Sequence, residues 1–140
     1  MHITEKLKNY IINSKEVCNS NIVITDLKNI QLVELLNKDY SYITAGSNLS
    51  QEILDLIKSW KSYNIDKSEL LCIFNYQCLK IFRNDTNNYS SQMIFPLFND
   101  NNLLGLIIFF RINGDYILSS AKSAKSLVKF TNEILNKENN

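Results

Sequence analysis

The residues of this sequence that are suited to chemistry are few and scattered. The chain has one histidine, His2, and three cysteines, Cys18, Cys72 and Cys78. A metal site needs several such ligands close together, and a catalytic thiol needs an internal base to polarise it. His2 stands at the terminus, where a solvated residue is expected, and the cysteine spacing fits no zinc motif. We therefore expect buried thiols, no metal site, no cofactor and no enzymatic activity.

Other catalytic patterns are also missing from the sequence. The three glycines are far apart, so they form no glycine-rich phosphate loop. A serine–histidine–aspartate triad would have to use His2. Acidic residues such as Asp39, Glu52 and Asp55 fall on segments that we expect at the surface. The sequence therefore favours a binding or regulatory domain over an enzyme.

The composition is typical of one globular domain that spans residues 1–140. Hydrophobic residues make up 45% of the chain, and Lys plus Arg number 15 against 14 for Asp plus Glu, a net charge of +1. A protein that binds nucleic acid on its own usually carries a basic field, because phosphate contacts supply most of its affinity. We expect no direct nucleic-acid binding. The sequence also has no apolar run of membrane-spanning length and no signal-peptide core, so we expect a cytoplasmic protein with no membrane contact.

Residues 103–111 form the central element that must position any functional site. This segment, LLGLIIFFR, is apolar at nearly every position, which is typical of a strand covered on both faces. We predict that it forms a hairpin with residues 91–98 across the polar turn at 99–102. Pro96 lies inside the first of these strands and indicates an edge position or a bulge there.

Hydrophobic spacing predicts the remaining elements. A middle helix begins after Asn48 or Ser50, with Ile53, Leu54, Ile57 and Trp60 on its inner face. Terminal helices are predicted at about 3–17 and 119–137. Further strands are predicted at 22–25, 30–35, 70–74 and 78–82. This order predicts an α+β fold with a single mixed or antiparallel sheet.

Two segments resemble a known family. Residues 21–35, NIVITDLKNIQLVEL, and residues 88–110, NYSSQMIFPLFNDNNLLGLIIFF, are similar to the C-terminal GAF-like domain of the stage V sporulation protein T family of transcription regulators. The final helix is similar too. The hairpin part of the resemblance falls on Tyr89, Pro96, Leu97, Gly105 and Ile108.

The resemblance covers roughly residues 3–137 and implies a GAF/PAS-like fold. The terminal helices would then lie on one face of a central, mostly antiparallel sheet, and the middle helix with its loops would cover the other. It also implies a regulatory role in transcription control of the sporulation type. The basic DNA-binding module of that family has no counterpart in this sequence, so we expect an excised domain or a stand-alone relative.

A small-molecule pocket is the first functional expectation. In a GAF-like fold the resemblance implies a pocket between the sheet and the middle-helix cover, and such pockets are largely apolar with a few orienting polar groups. The alternative is that the aromatic residues simply fill the core. The pocket residues predicted on this basis are Trp60, Phe74, Phe82, Tyr89, Ser91 and Arg111.

A homodimer is the second expectation. Both terminal helices carry stripes at alternating spacings of three and four, which a second copy would meet in a symmetric helical bundle. The alternative is that both stripes are used on the protein's own sheet. The predicted interface residues are Leu7, Tyr10, Ala121, Ala124, Val128 and Leu135.

These expectations define two functional hypotheses. In the first, the chain is a non-enzymatic regulatory domain that senses a small molecule, dimerises, and passes a shift of its terminal helices to a protein effector. In the second, it is a pure protein–protein assembly module whose pocket is filled by its own side chains.

Overall fold

The computed structural model describes most of the chain, with backbone alone at positions 16, 17, 62 and 71–74. The described residues are 1–36, 42–62, 71–74, 78–100, 102–112, 117 and 121–138. The elements in chain order are α1 (Glu5–Cys18), β1 (Asn21–Thr25), β2 (Ile30–Glu34), α2 (Gln51–Ser62), β3 (Leu71–Phe74), β4 (Tyr89–Asn99), β5 (Asn102–Ile112) and α3 (Ala121–Glu138).

The five strands form one sheet in the order β2-β1-β5-β4-β3, and every neighbouring pair is antiparallel. The central strand is β5, which pairs with β1 on one side and β4 on the other. It is buried from Gly105 to Phe110. The predicted α+β class, the β4–β5 hairpin and the double coverage of its second strand are therefore confirmed.

Alternation along β5 divides the core into two layers. Ile107 and Phe109 pack with the terminal helices α1 and α3. Leu106, Ile108 and Phe110 pack on the opposite side, with α2 and the segments around it. Because side chains of a strand point alternately to its two faces, one apolar run supplies both layers. The predicted placement of the terminal helices on one face and the middle helix on the other is confirmed.

Gly105 lets β1 and β5 approach each other closely. A Cβ atom at this position would lie 1.8 Å from the carbonyl oxygen of Thr25, which no side chain tolerates. The Thr25 hydroxyl accepts a hydrogen bond from the backbone N–H of Leu106 at 3.2 Å and donates one to the Asp26 carbonyl oxygen at 2.8 Å. The glycine of the apolar run is therefore required by strand packing.

Pro96 pairs with one strand among those that the structure describes. Strand β3 pairs with residues Ser91 to Ile94 of β4 and does not reach Pro96, which pairs only with Leu106 of β5 among the described strands. The prediction of an edge position or a bulge at Pro96 stays a prediction, because the residues that precede β3 lie outside the described part of the chain.

The terminal helices are antiparallel, and a side chain caps the start of α1. The Thr4 hydroxyl accepts a hydrogen bond from the Leu7 N–H at 3.2 Å at the start of α1, and it donates one to Glu138 at 2.7 Å at the end of α3. Midway along the pair, the rings of Tyr10 and Phe130 are 4.7 Å apart. These contacts bring the start of one helix beside the end of the other.

The strand predicted at 78–82 is wrong. This segment forms one isolated bridge, between Phe82 and Leu49, and several of its other backbone groups are bonded by side chains. Gln92 of β4 accepts from the Leu79 N–H at 2.9 Å and donates to the Leu79 carbonyl at 2.6 Å. An apolar run of strand length therefore becomes an irregular segment, because a side-chain amide takes the place of a neighbouring strand.

Candidate functional site

The candidate site is the face of the sheet that α2 covers, which we call the α2 face. Ile94, Ile108 and Phe110 form its fully buried floor. Above them lie side chains that are only half-buried, including Trp60 of α2 and Phe82 of the segment after β3. Half-buried aromatic groups over an apolar floor are typical of sites that admit small organic molecules.

A buried carboxylate organises the segment that leads into β4. Asp85 is only 2% exposed, and its side chain accepts four hydrogen bonds. One comes from the Ile81 N–H at 2.8 Å, two come from the backbone and side chain of Asn87 at 2.9 and 2.8 Å, and one comes from the Tyr89 hydroxyl at 2.5 Å. Such a set satisfies a buried carboxylate and fixes the loop around it.

Tyr89 links this carboxylate to the floor of the α2 face. Its ring meets the ring of Phe110 edge to face, with centroids 5.2 Å apart. Burial, and then the hydrogen bond and the charge of Asp85, raise the pKa of the Tyr89 hydroxyl above its usual value near 10. The phenol is therefore a fixed hydrogen-bond donor and not an acid–base group at neutral pH.

The predicted pocket residues do not form one site. Trp60, Phe82 and Tyr89 lie together on the α2 face. Ser91 and Arg111 lie on the opposite side of the sheet, where Ser91 accepts a hydrogen bond from the Ile117 N–H at 2.9 Å. The side chain of Phe74 falls outside the described residues. Of the polar groups expected to orient a ligand, only the hydroxyl of Tyr89 is on the correct face.

Arg111 instead supports the end of α1. Its guanidinium donates to the carbonyl oxygen of Asn19, which has a positive φ of 50° just after that helix. A cation at the C-terminal end of a helix stabilises the exposed carbonyl groups there. Asp85, in contrast, is not among the residues predicted for the site. The alternation of Asp85, Asn87 and Tyr89 in an otherwise polar stretch is the signal that identifies it as a turn-forming aspartate.

Solved structures share this architecture across nearly the whole chain. A GAF domain/HD domain protein from Geobacter sulfurreducens superposes with a TM-score of 0.62 at 10% identity, over 93% of this chain and 92% of that one. The GAF domain of a two-component sensor histidine kinase from Bacillus halodurans gives 0.59 at 12% identity, over 96% and 98%. A domain assigned to a sensor histidine kinase of Sinorhizobium meliloti gives 0.58 at 11% identity, over 98% and 93%.

The chain has the GAF-domain fold. No protein-family model matches its sequence. No curated protein matches it either. At 10 to 12% identity these likenesses show the fold alone, so the residues of the candidate site are judged on their own geometry.

The second candidate surface of the GAF fold is the outer side of α1 and α3. Leu7, Ala124, Val128 and Leu135, predicted to meet a second copy, are buried in the chain's own core. Their stripes are therefore used on the sheet, as the alternative interpretation held. Tyr10 and Ala121 are half-buried at the edge of that core. Large apolar groups on the outer side are Ile12, 36% exposed, and Phe130, 45% exposed.

The described thiol of α1 and the metal-ligating side chains offer no further site. Cys18 is buried at the end of α1, and burial raises the pKa of its thiol, which lowers its reactivity. Within the described part of the chain, no group of three or more His, Cys, Asp or Glu side chains is placed to hold a metal ion. Over the same residues, no helix has the length and apolar character needed to cross a membrane.

Proposed function

We propose that this chain is a regulatory domain that senses a small molecule on the α2 face and reports it through the outer side of α1 and α3. The observation that supports this most is the arrangement of two consecutive residues in the central strand. Phe110 contacts Tyr89 on the α2 face at 5.2 Å, while Phe109 contacts Phe95 on the other face at 5.8 Å. A displacement of either ring changes the position of a strand that both faces share.

Two hydrogen bonds connect the end of β4, the hairpin partner of β5, to the terminal helix α3. Asn132 of α3 accepts a hydrogen bond from the Phe98 N–H at 2.9 Å, and Asn136 accepts one from the Asp100 N–H at 3.1 Å. These bonds attach α3 to the end of β4. A ligand that binds one strand position more tightly than another would therefore shift α3 with the strand.

The output surface in this proposal is formed by Tyr10 and Phe130, whose rings meet between α1 and α3 with centroids 4.7 Å apart. Exposed aromatic and aliphatic groups on neighbouring helices are typical of protein–protein contacts. We propose a second copy of the chain as the partner, with a protein effector acting on the resulting helical bundle. The sequence resemblance supports a role in transcription control of the sporulation type. From the composition and the lack of catalytic patterns in the sequence, we propose a cytoplasmic domain without enzymatic activity or direct nucleic-acid binding.

Trp60 provides the test of the sensing step. It is the single tryptophan of the sequence, so its emission reports the α2 face alone. Titration with a library of nucleotides and amino acids should give a saturable emission change with at least one compound class. Phe82→Leu should weaken that response and Phe130→Ser should not, since only Phe82 lies on the α2 face. A flat emission across the library, or equal effects of the two substitutions, would count against the proposal.

A pure assembly module is the second candidate, because the floor of the α2 face is already closed by its own side chains. Ile53, Ile57, Ile94 and Phe110 there are at most 4% exposed. In that case Phe130→Ser would abolish assembly, while Phe82→Leu would leave both assembly and biological function unchanged. Sedimentation velocity on both variants, with a functional assay beside it, separates the two candidates.

A further inference from the structure

A groove of about 540 Å³ crosses the start of α2 on the outside of the molecule. Three separate segments form its walls: the turn between β1 and β2, the first residues of α2, and residues 80–84. Its volume is within the range of small-molecule sites. Half-buried Phe82 and Leu54 give it an apolar wall.

Backbone bonds hold these three segments against one another. The Leu49 N–H donates to the Lys28 carbonyl at 3.0 Å, and the Arg83 N–H donates to the Asn48 carbonyl at 2.9 Å. The Lys80 N–H donates to the carboxylate of Glu52 at 2.5 Å. These bonds use main-chain atoms of Lys28, Lys80 and Arg83, so the side chains of the three cations are available for other contacts.

The charges that line the groove are strongly unbalanced for a chain of net charge +1. Lys28, Lys80 and Arg83 are exposed and line it together, and Glu52 is the one acid among its lining residues. Within the described residues, none of these three cations takes part in an ion pair. Three unpaired cations in one concavity create a positive potential that attracts a multiply charged anion.

We propose that this groove is a second ligand site, which binds a diphosphate group. An arginine and two lysines match the charge of a diphosphate, and the fork of the arginine suits its oxygen atoms. The apolar wall formed by Phe82 and Leu54 suits the organic part of a ligand that carries one. The groove shares Phe82 with the border of the α2 face. Inorganic pyrophosphate and substitutions of the cations do not involve Phe82, so they test the groove separately from the sensing proposal.

Calorimetric titration of the whole chain with inorganic pyrophosphate, at low salt and without divalent cations, tests the site. The expected result is saturable binding of one pyrophosphate per chain that weakens as salt is raised. Arg83→Gln and Lys80→Gln should each weaken it by about tenfold, the effect of losing one charge-assisted hydrogen bond. Because both residues contribute to the fold through their main chain, the melting temperatures of these variants should match the wild type.

Lys125→Gln is the matched control, since Lys125 is exposed on α3 and does not line the groove. The proposal is overturned if pyrophosphate gives no saturable heat, or if the control weakens binding as much as Arg83→Gln does. Adenosine diphosphate then identifies the source of the diphosphate. If adenosine diphosphate binds more tightly than pyrophosphate, and Phe82→Leu removes that advantage, the ligand is an organic diphosphate. If the two bind equally, the ligand is the inorganic ion.

Discussion

The two faces of the sheet are built from neighbouring residues of the same strands, yet they differ in the side chains at their borders. On the terminal-helix face, Met93, Phe95 and Phe109 are at most 2% exposed. On the α2 face, half-buried side chains such as Trp60 and Phe82 surround a closed floor. Both faces have a closed core with half-buried side chains at its border, and the border of the α2 face holds Trp60 and Phe82, which can gain contacts from a ligand. The difference indicates which side receives a small molecule.

Gly105→Ala should have the largest effect on stability, because it disturbs β5, the strand that supplies side chains to both faces of the sheet. The new Cβ would lie 1.8 Å from the Thr25 carbonyl oxygen and would force β1 away from β5. We expect a loss of more than about 4 kcal/mol in the free energy of unfolding. Urea denaturation followed by circular dichroism measures it.

Gly46→Ala is the matched control for that substitution. Gly46 has a φ of +93°, and a Cβ there would meet no atom within 4 Å. Its backbone strain should cost only about 1 kcal/mol. Similar losses for the two glycine variants would contradict the account of the β1–β5 contact.

Phe109→Ala and Phe110→Ala compare the faces directly, since these adjacent residues point to opposite sides. Removing a buried phenylalanine costs about 3 to 5 kcal/mol, and the cost falls where the surroundings can collapse into the cavity. We expect Phe109→Ala near the top of this range and Phe110→Ala near the bottom. Denaturant titrations of both variants provide the comparison. A larger loss for Phe110→Ala would show that the α2 face is the more rigid of the two.

Tyr89→Phe should weaken the α2 face alone. It removes one of four hydrogen bonds to the buried Asp85 carboxylate, which should cost about 2 kcal/mol at pH 7. Because the pKa of Tyr89 is raised in the folded state, its contribution is fully present below the unfolded value of about 10 and is lost as pH rises above it. The stability difference between wild type and variant, measured by denaturation between pH 7 and 11, should therefore shrink above pH ~10. A difference that stays constant or grows would contradict this.

Phe130→Ser should have the smallest effect on stability and act only on assembly. Phe130 is 45% exposed on the outer side of α3, so we expect a loss of less than about 1 kcal/mol. The dimer dissociation constant should nevertheless rise at least tenfold by sedimentation equilibrium. Lys125→Ser, on the same helix, serves as the control and should leave dimerisation unchanged. If both variants dimerise like the wild type, the interface lies elsewhere.

Much of the fold could be predicted because it depends on patterns within single segments. The apolar run at 103–111 required cover on both faces, and the stripes of α1 and α3 required a common surface. The apolar stripes of α1 and α3 could not reveal whether they meet the chain's own sheet or a second copy of the chain. Val128 is only 4% exposed, so the sheet of the same chain has taken the place assigned to a second copy.

The candidate site was harder to predict because it depends on register. Tyr89 and Ser91 are two residues apart and would share a face in a regular strand. An irregularity in the β4–β5 pairing between them places Ser91 on the other face. Likewise, nothing in the sequence relates Lys28 to Lys80 and Arg83, which hydrogen bonds to residues 48, 49 and 52 bring to one groove.

Native mass spectrometry of the gently purified chain tests the central claim, that the α2 face is a sensing site, most directly. The account predicts that each chain retains one small molecule of reproducible mass, and that Phe82→Leu reduces the retained fraction while Phe130→Ser does not. A chain of unmodified mass under the same conditions, whether monomer or dimer, would contradict the sensing role and favour the assembly module.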